Sequence, residues 1–131
     1  MKLRIRGDSL RFRLTKSEVT SLNEQGWWQD TVTLGSNGMP SLIYRIESAN
    51  IVEPTILFEA SALTARVPLD NVQSWAGSDR IVGIYFTTSW GTTIAIEKDF
   101  RCLDEQRDED ESDNFDNPNA DTSQHTECTA G

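Results

Sequence analysis

Histidine, cysteine and long apolar runs are scarce in this sequence. Its 131 residues include one histidine, His125, and two cysteines, Cys102 and Cys128. With a single histidine, a Ser–His or Cys–His catalytic pair is hard to build, and a zinc site of paired Cys and His ligands is excluded. No stretch approaches the length of a membrane span, and the first residues are charged where a signal peptide is apolar. We therefore expect a cytoplasmic protein, with no membrane association and with both cysteines as free thiols.

Negative charge is concentrated at one end of the chain. Residues 1–98 contain ten basic and ten acidic residues, whereas residues 99–131 contain two and eleven, so the net charge of −9 comes from the last segment. This shift predicts a single α+β domain over residues 1–103 and an acidic C-terminal tail, partly disordered, over residues 104–131. We expect Phe100, Leu103 and Phe115 to hold the start of the tail against the domain, where its acids would neutralise arginines.

The opening segment LRIRGDSLRFRL, residues 3–14, alternates apolar residues with arginines. If the apolar side chains of both strands share a buried face, a Gly7-Asp8 turn or a four-residue loop in the same register joins them. That register places Arg4 directly opposite Arg11, and like charges in this position destabilise a strand pair. We expect compensation by carboxylates from other strands, by a bound anion, or by water and salt alone.

The hydrophobic period changes twice from strand-like to helix-like. Thr15 and Glu18 form the pattern of a capping box before a helix that ends at Gly26. The segment LDNVQSWAG, residues 69–77, has the spacing of a second helix. Strand patterns flank both helices, so the order ββαββ occurs twice. This order predicts an α+β fold of about eight antiparallel strands in one strongly curved sheet or barrel, with two short helices.

Arginines on the predicted strands are the candidate ligand-binding residues. If the later strands present their charged side chains on the same face as the opening hairpin, six arginines share one surface with a few glutamates. Guanidinium groups there would bind phosphate or carboxylate through paired hydrogen bonds. The alternative is a solvated sheet face whose long side chains cover apolar surface. The candidates are Arg4, Arg6, Arg11, Arg13, Arg45 and Arg66.

We predict no metal site, no cofactor and no catalytic residue. The acidic run DEDESDN is rich in oxygen ligands, but an EF-hand loop beginning at Asp108 requires glycine at its sixth position and glutamate at its twelfth. Asp113 and Asn119 stand there instead. Acidic neighbours of Cys102 oppose formation of a reactive thiolate.

Both ends of the sequence resemble a known family. The start MKLRIRGDSLRFRLTKSEV and the segment EKDFRCLDEQRDEDESDNFDNP together cover roughly a third of the chain. They resemble the two ends of a family of small, uncharacterised bacterial proteins. The resemblance implies a cytosolic bacterial protein, and it supplies no activity, substrate or catalytic residue.

Two functions stay open at this point. The first, which we favour, is a non-catalytic binding or adaptor module whose arginine face meets an anionic small molecule or an acidic segment of a partner. The second is a metal-assisted phosphohydrolase, because the predicted strands are similar in arrangement to triphosphate tunnel enzymes. Glu47, Glu59 and Glu97 would then hold Mg²⁺. The first strand lacks the Glu-x-Glu-x-Lys signature of those enzymes, which weakens the analogy.

Nucleic acid is disfavoured as the anionic ligand. A neutral domain with an acidic tail lacks the net basic charge that is typical of nucleic-acid-binding proteins. Binding of a single strand would also require aromatic residues among the arginines, and Phe12 is predicted on the opposite face. The oligomeric state stays open.

Overall fold

The computed structural model describes residues 1–39, 42–100, 113 and 115. These residues form eight strands and two helices in the predicted order, so the α+β class is confirmed. The strands are β1 (Lys2–Arg6), β2 (Ser9–Leu14), β3 (Trp27–Val32), β4 (Leu42–Ala49), β5 (Thr55–Glu59), β6 (Ala62–Pro68), β7 (Gly83–Thr87) and β8 (Thr93–Lys98). The helices are α1 (Lys16–Gln25) and α2 (Leu69–Gly77).

The strands are divided between two four-stranded sheets. Sheet I has the order β1-β2-β8-β7 and sheet II the order β3-β4-β6-β5, so each half of the chain contributes one hairpin to each sheet. In both sheets the central pair is parallel, β2 with β8 and β4 with β6. The outer pairs are antiparallel.

This arrangement corrects the prediction of eight antiparallel strands in one strongly curved sheet or barrel. The described residues form two mixed sheets and no closed barrel. The reason lies in what strand alternation encodes. It identifies the face of a strand that is buried, but it does not identify which distant strand lies alongside.

The opening hairpin has the predicted register. Leu3 pairs with Phe12, and Arg4 lies directly opposite Arg11. Gly7 has a φ of 55°, in the left-handed region, while Asp8 does not. A glycine at the first position of a two-residue turn is typical of a tight hairpin whose twist matches its strands. The like-charged pair that the sequence predicts is therefore present.

One hydrophobic cluster unites both sheets and both helices. Along the central strands of both sheets the side chains alternate between this cluster and an outer face, whereas Ile5 on β1, which was expected on the buried face, and Phe58 on β5 are mostly exposed. The fully buried large side chains are Phe12, Leu14, Leu22, Ile46, Val67, Val72, Trp75 and Ile96. Neither helix of the described residues is long and apolar enough to span a membrane.

Helix α1 begins and ends where the sequence predicts. The Glu18 carboxylate accepts a hydrogen bond from the Thr15 backbone N–H at 2.9 Å, as part of a capping box. At the other end the Gly26 N–H donates to the Leu22 carbonyl oxygen at 2.9 Å. Gly26 has a φ of 90°, which glycine adopts at little cost because it has no Cβ.

The first residue connects β1 to sheet II. The α-amine of Met1 donates to Glu18 Oε2 at 2.5 Å and to Asp30 Oδ2 at 2.7 Å. Burial alone would lower the pKa of this amine, but its hydrogen bonds to the two carboxylates raise the pKa above the ordinary 8.0. The Tyr44 hydroxyl also donates to the Met1 carbonyl oxygen at 3.2 Å. These bonds hold the edge strand β1 against α1, β3 and β4.

The halves of the chain correspond residue by residue. In sheet I, Arg13 lies beside Glu97 across the parallel pair, and in sheet II, Arg66 lies beside Glu47 in the same way. The backbone bond from Thr93 N–H to the Asp8 carbonyl, at 2.9 Å, has its counterpart from Ile43 N–H to the Ser61 carbonyl, also at 2.9 Å. The two halves of the chain therefore repeat one strand order with matching register.

The described residues of the C-terminal segment contact the body of the protein. The Phe115 N–H donates to the Asp99 carbonyl at 2.9 Å, and the Phe115 ring meets Phe100 edge-on with centroids 5.8 Å apart. Asp113 accepts hydrogen bonds from the Ser17 backbone N–H at 2.9 Å and from its hydroxyl at 2.7 Å. The two phenylalanines thus make the contact expected of them. The domain boundary at residue 103, Leu103 itself, the other acids predicted to neutralise arginines, Cys102, Cys128 and His125 lie outside the described residues.

We predict that Asp113 stabilises the fold and that its contribution is lost in acid. Its hydrogen bonds with Ser17, at the first turn of α1, lower the pKa of this carboxyl below the ordinary 3.8. A depressed pKa contributes stability above the unfolded-state pKa, and this stability disappears as the pH falls through the folded-state value. Asp113→Ala should therefore lower the thermal unfolding midpoint at pH 7, and the deficit should shrink as the pH falls below 4.

Glu53→Ala is the control for this experiment. Glu53 is exposed and carries no ion pair to another described residue, so its removal changes the charge without loss of a hydrogen bond. Equal midpoints for Asp113→Ala and Glu53→Ala at pH 7 would contradict the prediction.

Candidate functional site

The outer face of sheet I carries most of the predicted arginines. Because Phe12 and Leu14 point into the core, the odd-numbered residues of β2 point outward together with their cross-strand partners. The four arginines of the opening hairpin therefore share one face. Lys2, Arg4, Arg6, Ser9, Arg11 and Arg13 come from the first hairpin, and Gly83, Tyr85, Thr87, Thr93, Ala95 and Glu97 come from the second.

Three arginines surround a small cavity on this face. Arg4, Arg6, Ser9 and Arg11 line a volume of about 240 Å³. Within the described ranges, no carboxylate lies within ion-pair distance of Arg4 or Arg6. Guanidinium groups have a fixed fork of N–H donors that matches phosphate or carboxylate oxygens. The cavity therefore presents several cationic donors to an anion.

Glu97 is the acidic centre of the same face. Its Oε1 lies 3.2 Å from Arg11 Nε and 3.8 Å from Arg13 Nε. Its Oε2 accepts a hydrogen bond from the Tyr85 hydroxyl at 2.8 Å. One carboxylate thus orients two arginines and a tyrosine, and both of its oxygens are engaged.

Tyr85 holds its proton tightly in this arrangement. Burial of the hydroxyl, followed by its hydrogen bond to Glu97, raises the pKa of Tyr85 to about 12. The phenol is therefore a hydrogen-bond donor at neutral pH. Its ring is largely exposed, with 59% of the residue surface accessible.

Gly83 creates the room for this contact. A Cβ at position 83 would lie 2.8 Å from the Ile96 carbonyl oxygen, 2.8 Å from the Tyr85 hydroxyl and 2.9 Å from Glu97 Cγ. Any side chain there would displace the tyrosine, the glutamate or the neighbouring strand. Glycine at this position is consequently part of the site.

The structure separates two of the predicted site residues from the other four. Arg45 and Arg66 lie on the outer face of sheet II, so six arginines do not share one surface. Glu47 pairs with both of them, at 2.8 Å from Arg45 Nε and 3.3 Å from Arg66 Nε. Arg45 also donates to Gln29 Oε1 at 2.9 Å, and its guanidinium lies over the Trp27 ring. The two arginines thus share Glu47 in a local ion-pair network on sheet II.

The two outer faces differ in charge although they occupy equivalent places. The strands of sheet I present five basic residues and one acid, a net charge of +4, whereas those of sheet II present two of each and are neutral. The positions in sheet II that correspond to Arg4, Arg6 and Arg11 hold Leu57, Glu59 and Thr64. The shared scaffold therefore does not require arginine at these three positions.

The carboxylates proposed for Mg²⁺ do not form one site. Glu97 lies on sheet I, whereas Glu47 and Glu59 lie on sheet II. The two sheets do not enclose a tunnel lined by all three. Among the residues that the structure describes, no cluster of three or more His, Cys, Asp or Glu side chains has metal-binding geometry.

Comparison with known proteins places the chain among relatives without an assigned activity. Residues 1–119 match the model of a family of unknown function, DUF7009. The chain belongs to this family. The resemblance to an uncharacterised family is thereby confirmed, and a bacterial origin stays a prediction. The comparisons with curated proteins and with solved structures found no match.

Two parts of the site in this DUF7009 chain were missed by reasoning from sequence. Tyr85 stands between Ile84 and Phe86, whose apolar side chains both face inward, so alternation alone could have placed it outward. What was missing was the pairing of β2 with β8, which brings the tyrosine onto the arginine face. The role of Gly83 could not be anticipated, since it depends on side chains from two strands.

We predict that Gly83→Ala destabilises the protein and disturbs the site. Contacts below 3.0 Å with backbone and side chains resemble overpacking of a core, which costs about 1–3 kcal/mol. The measurement is the free energy of unfolding in urea. Gly77→Ala is the matched control, because a Cβ at position 77 meets nothing within 4 Å. That variant should be neutral or stabilised by up to about 1 kcal/mol. Equal stability of the two variants would contradict this view of Gly83.

Proposed function

We propose that this protein is a non-catalytic binding module and that the outer face of sheet I binds an anionic ligand. The observation that carries the proposal is the charge difference between two equivalent faces, +4 on sheet I and zero on sheet II. Like charges at Arg4 and Arg11 oppose strand pairing, and of the two only Arg11 has a carboxylate of a described residue, Glu97, within ion-pair distance. A ligand with several oxygens would relieve this repulsion.

The small volume of the arginine cavity favours a small anion over an acidic protein segment. The cavity of about 240 Å³ lined by Arg4, Arg6 and Arg11 suits phosphate or a short polyphosphate. Charge-assisted hydrogen bonds between guanidinium and phosphate are roughly twice as strong as neutral ones, and paired bonds add geometric specificity. Two or three such bonds would support binding without any metal.

The proposal is non-catalytic because the two carboxylates of the described residues at this face are already paired, Asp99 with Lys2 at 3.2 Å and Glu97 with Arg11. Glu97 accepts from Tyr85 and is ion-paired with Arg11, so neither oxygen is free to take a proton from a nucleophile. The predictions of a cytoplasmic location and a bacterial source belong to this proposal, as does competition by the acidic tail for the arginines.

We predict that loss of two sheet I arginines weakens anion binding. Titration calorimetry of the full chain with inorganic tripolyphosphate should show one site, and Arg4→Ala/Arg11→Ala should lower its affinity at least about tenfold. The control is Arg45→Ala/Arg66→Ala, which removes the same formal charge from sheet II. That variant should bind nearly as well as the wild type, because Arg45 and Arg66 lie on the other sheet and are paired with Glu47 there.

Three results would contradict the proposal. The first is no binding of tripolyphosphate by the wild-type protein at low ionic strength. The second is an equal loss in the two double variants, which would indicate general attraction by net charge. The third is Mg²⁺-dependent release of phosphate that disappears in Glu97→Gln, which would establish catalysis.

A further inference from the structure

A second cavity adjoins the arginine cavity on the same face. It has a volume of about 340 Å³. Ser9 and Arg11 line both cavities, so the two meet along β2. The second cavity extends from Arg11 across β8 to Tyr85 on β7. A ligand bound by the arginines would therefore have room to continue toward the tyrosine.

The floor of the second cavity consists of small residues. Ala95 lies between Arg11 and Tyr85 in one cross-strand row, and Thr93 lies beside Ser9 in the next row. The equivalent positions in sheet II hold Arg45 and Ile43, whose side chains are large. Sheet I thus has a shallow trough where its counterpart has bulky side chains. Ser9, Thr87 and Thr93 are exposed and offer hydroxyl groups along the trough.

The two walls of the trough suit a planar ring. Tyr85 stands on one wall with its hydroxyl held by Glu97, and no aromatic ring among the described residues stacks against it. Arg11 stands on the other wall, two strand spacings or about 10 Å away at the backbone. Glu97 pairs with both side chains at one end of the trough, and the exposed Tyr85 ring offers a flat ring a surface on which to stack.

We propose that the ligand of this face is a phosphorylated compound with a planar aromatic ring, of the nucleoside phosphate class. This inference rests on the proposed function and deepens it. The phosphates bind Arg4, Arg6 and Arg11, and the ring lies over Ala95 against Tyr85. A mononucleotide fits better than a nucleic acid strand, because a face of +4 on a protein of net charge −9 offers little attraction to a long polyanion.

The experiment compares ATP with inorganic tripolyphosphate on the full chain by titration calorimetry. Both carry three linked phosphates, and only ATP carries a ring. Stacking of a base on an aromatic side chain raises the binding affinity by roughly five- to hundredfold. We expect ATP to bind tighter within this range. Tyr85→Ala should abolish the preference for ATP over tripolyphosphate, whatever its effect on tripolyphosphate through Glu97, while Tyr85→Phe, which keeps the ring and loses the bond to Glu97, should keep most of the preference.

Two further variants separate stacking from general damage to the fold. Ala95→Leu fills the floor of the trough from the solvent side, so it should weaken ATP and not tripolyphosphate. Gln29→Ala alters the position in sheet II that corresponds to Tyr85 and should change neither. Loss of the preference for ATP in both Tyr85→Ala and Ala95→Leu would support the trough as the ring site.

Each other outcome overturns the inference in a distinct way. If ATP and tripolyphosphate bind equally and both are weakened by Arg4→Ala/Arg11→Ala, the ring site is ruled out and the anion site is retained. Absence of binding by either probe would overturn both proposals. A short oligothymidylate that binds tighter than ATP, with loss in Tyr85→Ala, would replace the mononucleotide by single-stranded nucleic acid.

Discussion

The parallel pairing of β2 with β8 is the constraint on which the rest of the molecule depends. It joins the first hairpin of the chain to the last, and it sets both faces of sheet I at once. Phe12 beside Ile96 fills the core, whereas Arg13 beside Glu97 lies outside. Backbone hydrogen bonds from Thr93 to Asp8 and from Asp99 to Leu14 extend the alignment beyond both ends of the pair. Any shift of register by one residue would exchange the buried and exposed sets.

The second copy of this arrangement serves as an internal comparison. In sheet II the parallel pair β4 and β6 repeats both features. Ile46 is buried as Ile96 is, and Glu47 forms an ion pair with Arg66 as Glu97 does with Arg13. Features that occur in both sheets are explained by the scaffold. The arginine cavity, Tyr85 and the small residue Ala95 occur in sheet I alone, and the scaffold does not explain them. These three features are therefore the best candidates for a functional role.

Local patterns in the sequence predicted local structure well. The hairpin register followed from alternation on either side of Gly7, and the start of α1 followed from the Thr15–Glu18 pair. Partners between the halves were not predictable in this way. A half-buried strand shows which of its faces is apolar, and β8 offers the same alternation whether it pairs with β2 or with another strand. For this reason alternation left open whether Arg45 and Arg66 share a face with the hairpin arginines, and the strand pairing places them on the other sheet.

The central claim is that an anion binds the outer face of sheet I and not its counterpart. The most direct test is a two-dimensional ¹⁵N–¹H NMR titration of the full chain with inorganic tripolyphosphate, with backbone amide and arginine Nε–H signals assigned. The account predicts the largest shifts at Arg4, Arg6 and Arg11, with smaller ones at Thr93 and Ala95 across the trough. Shifts of equal size at Arg45 and Arg66, or shifts spread evenly over the protein, would contradict it.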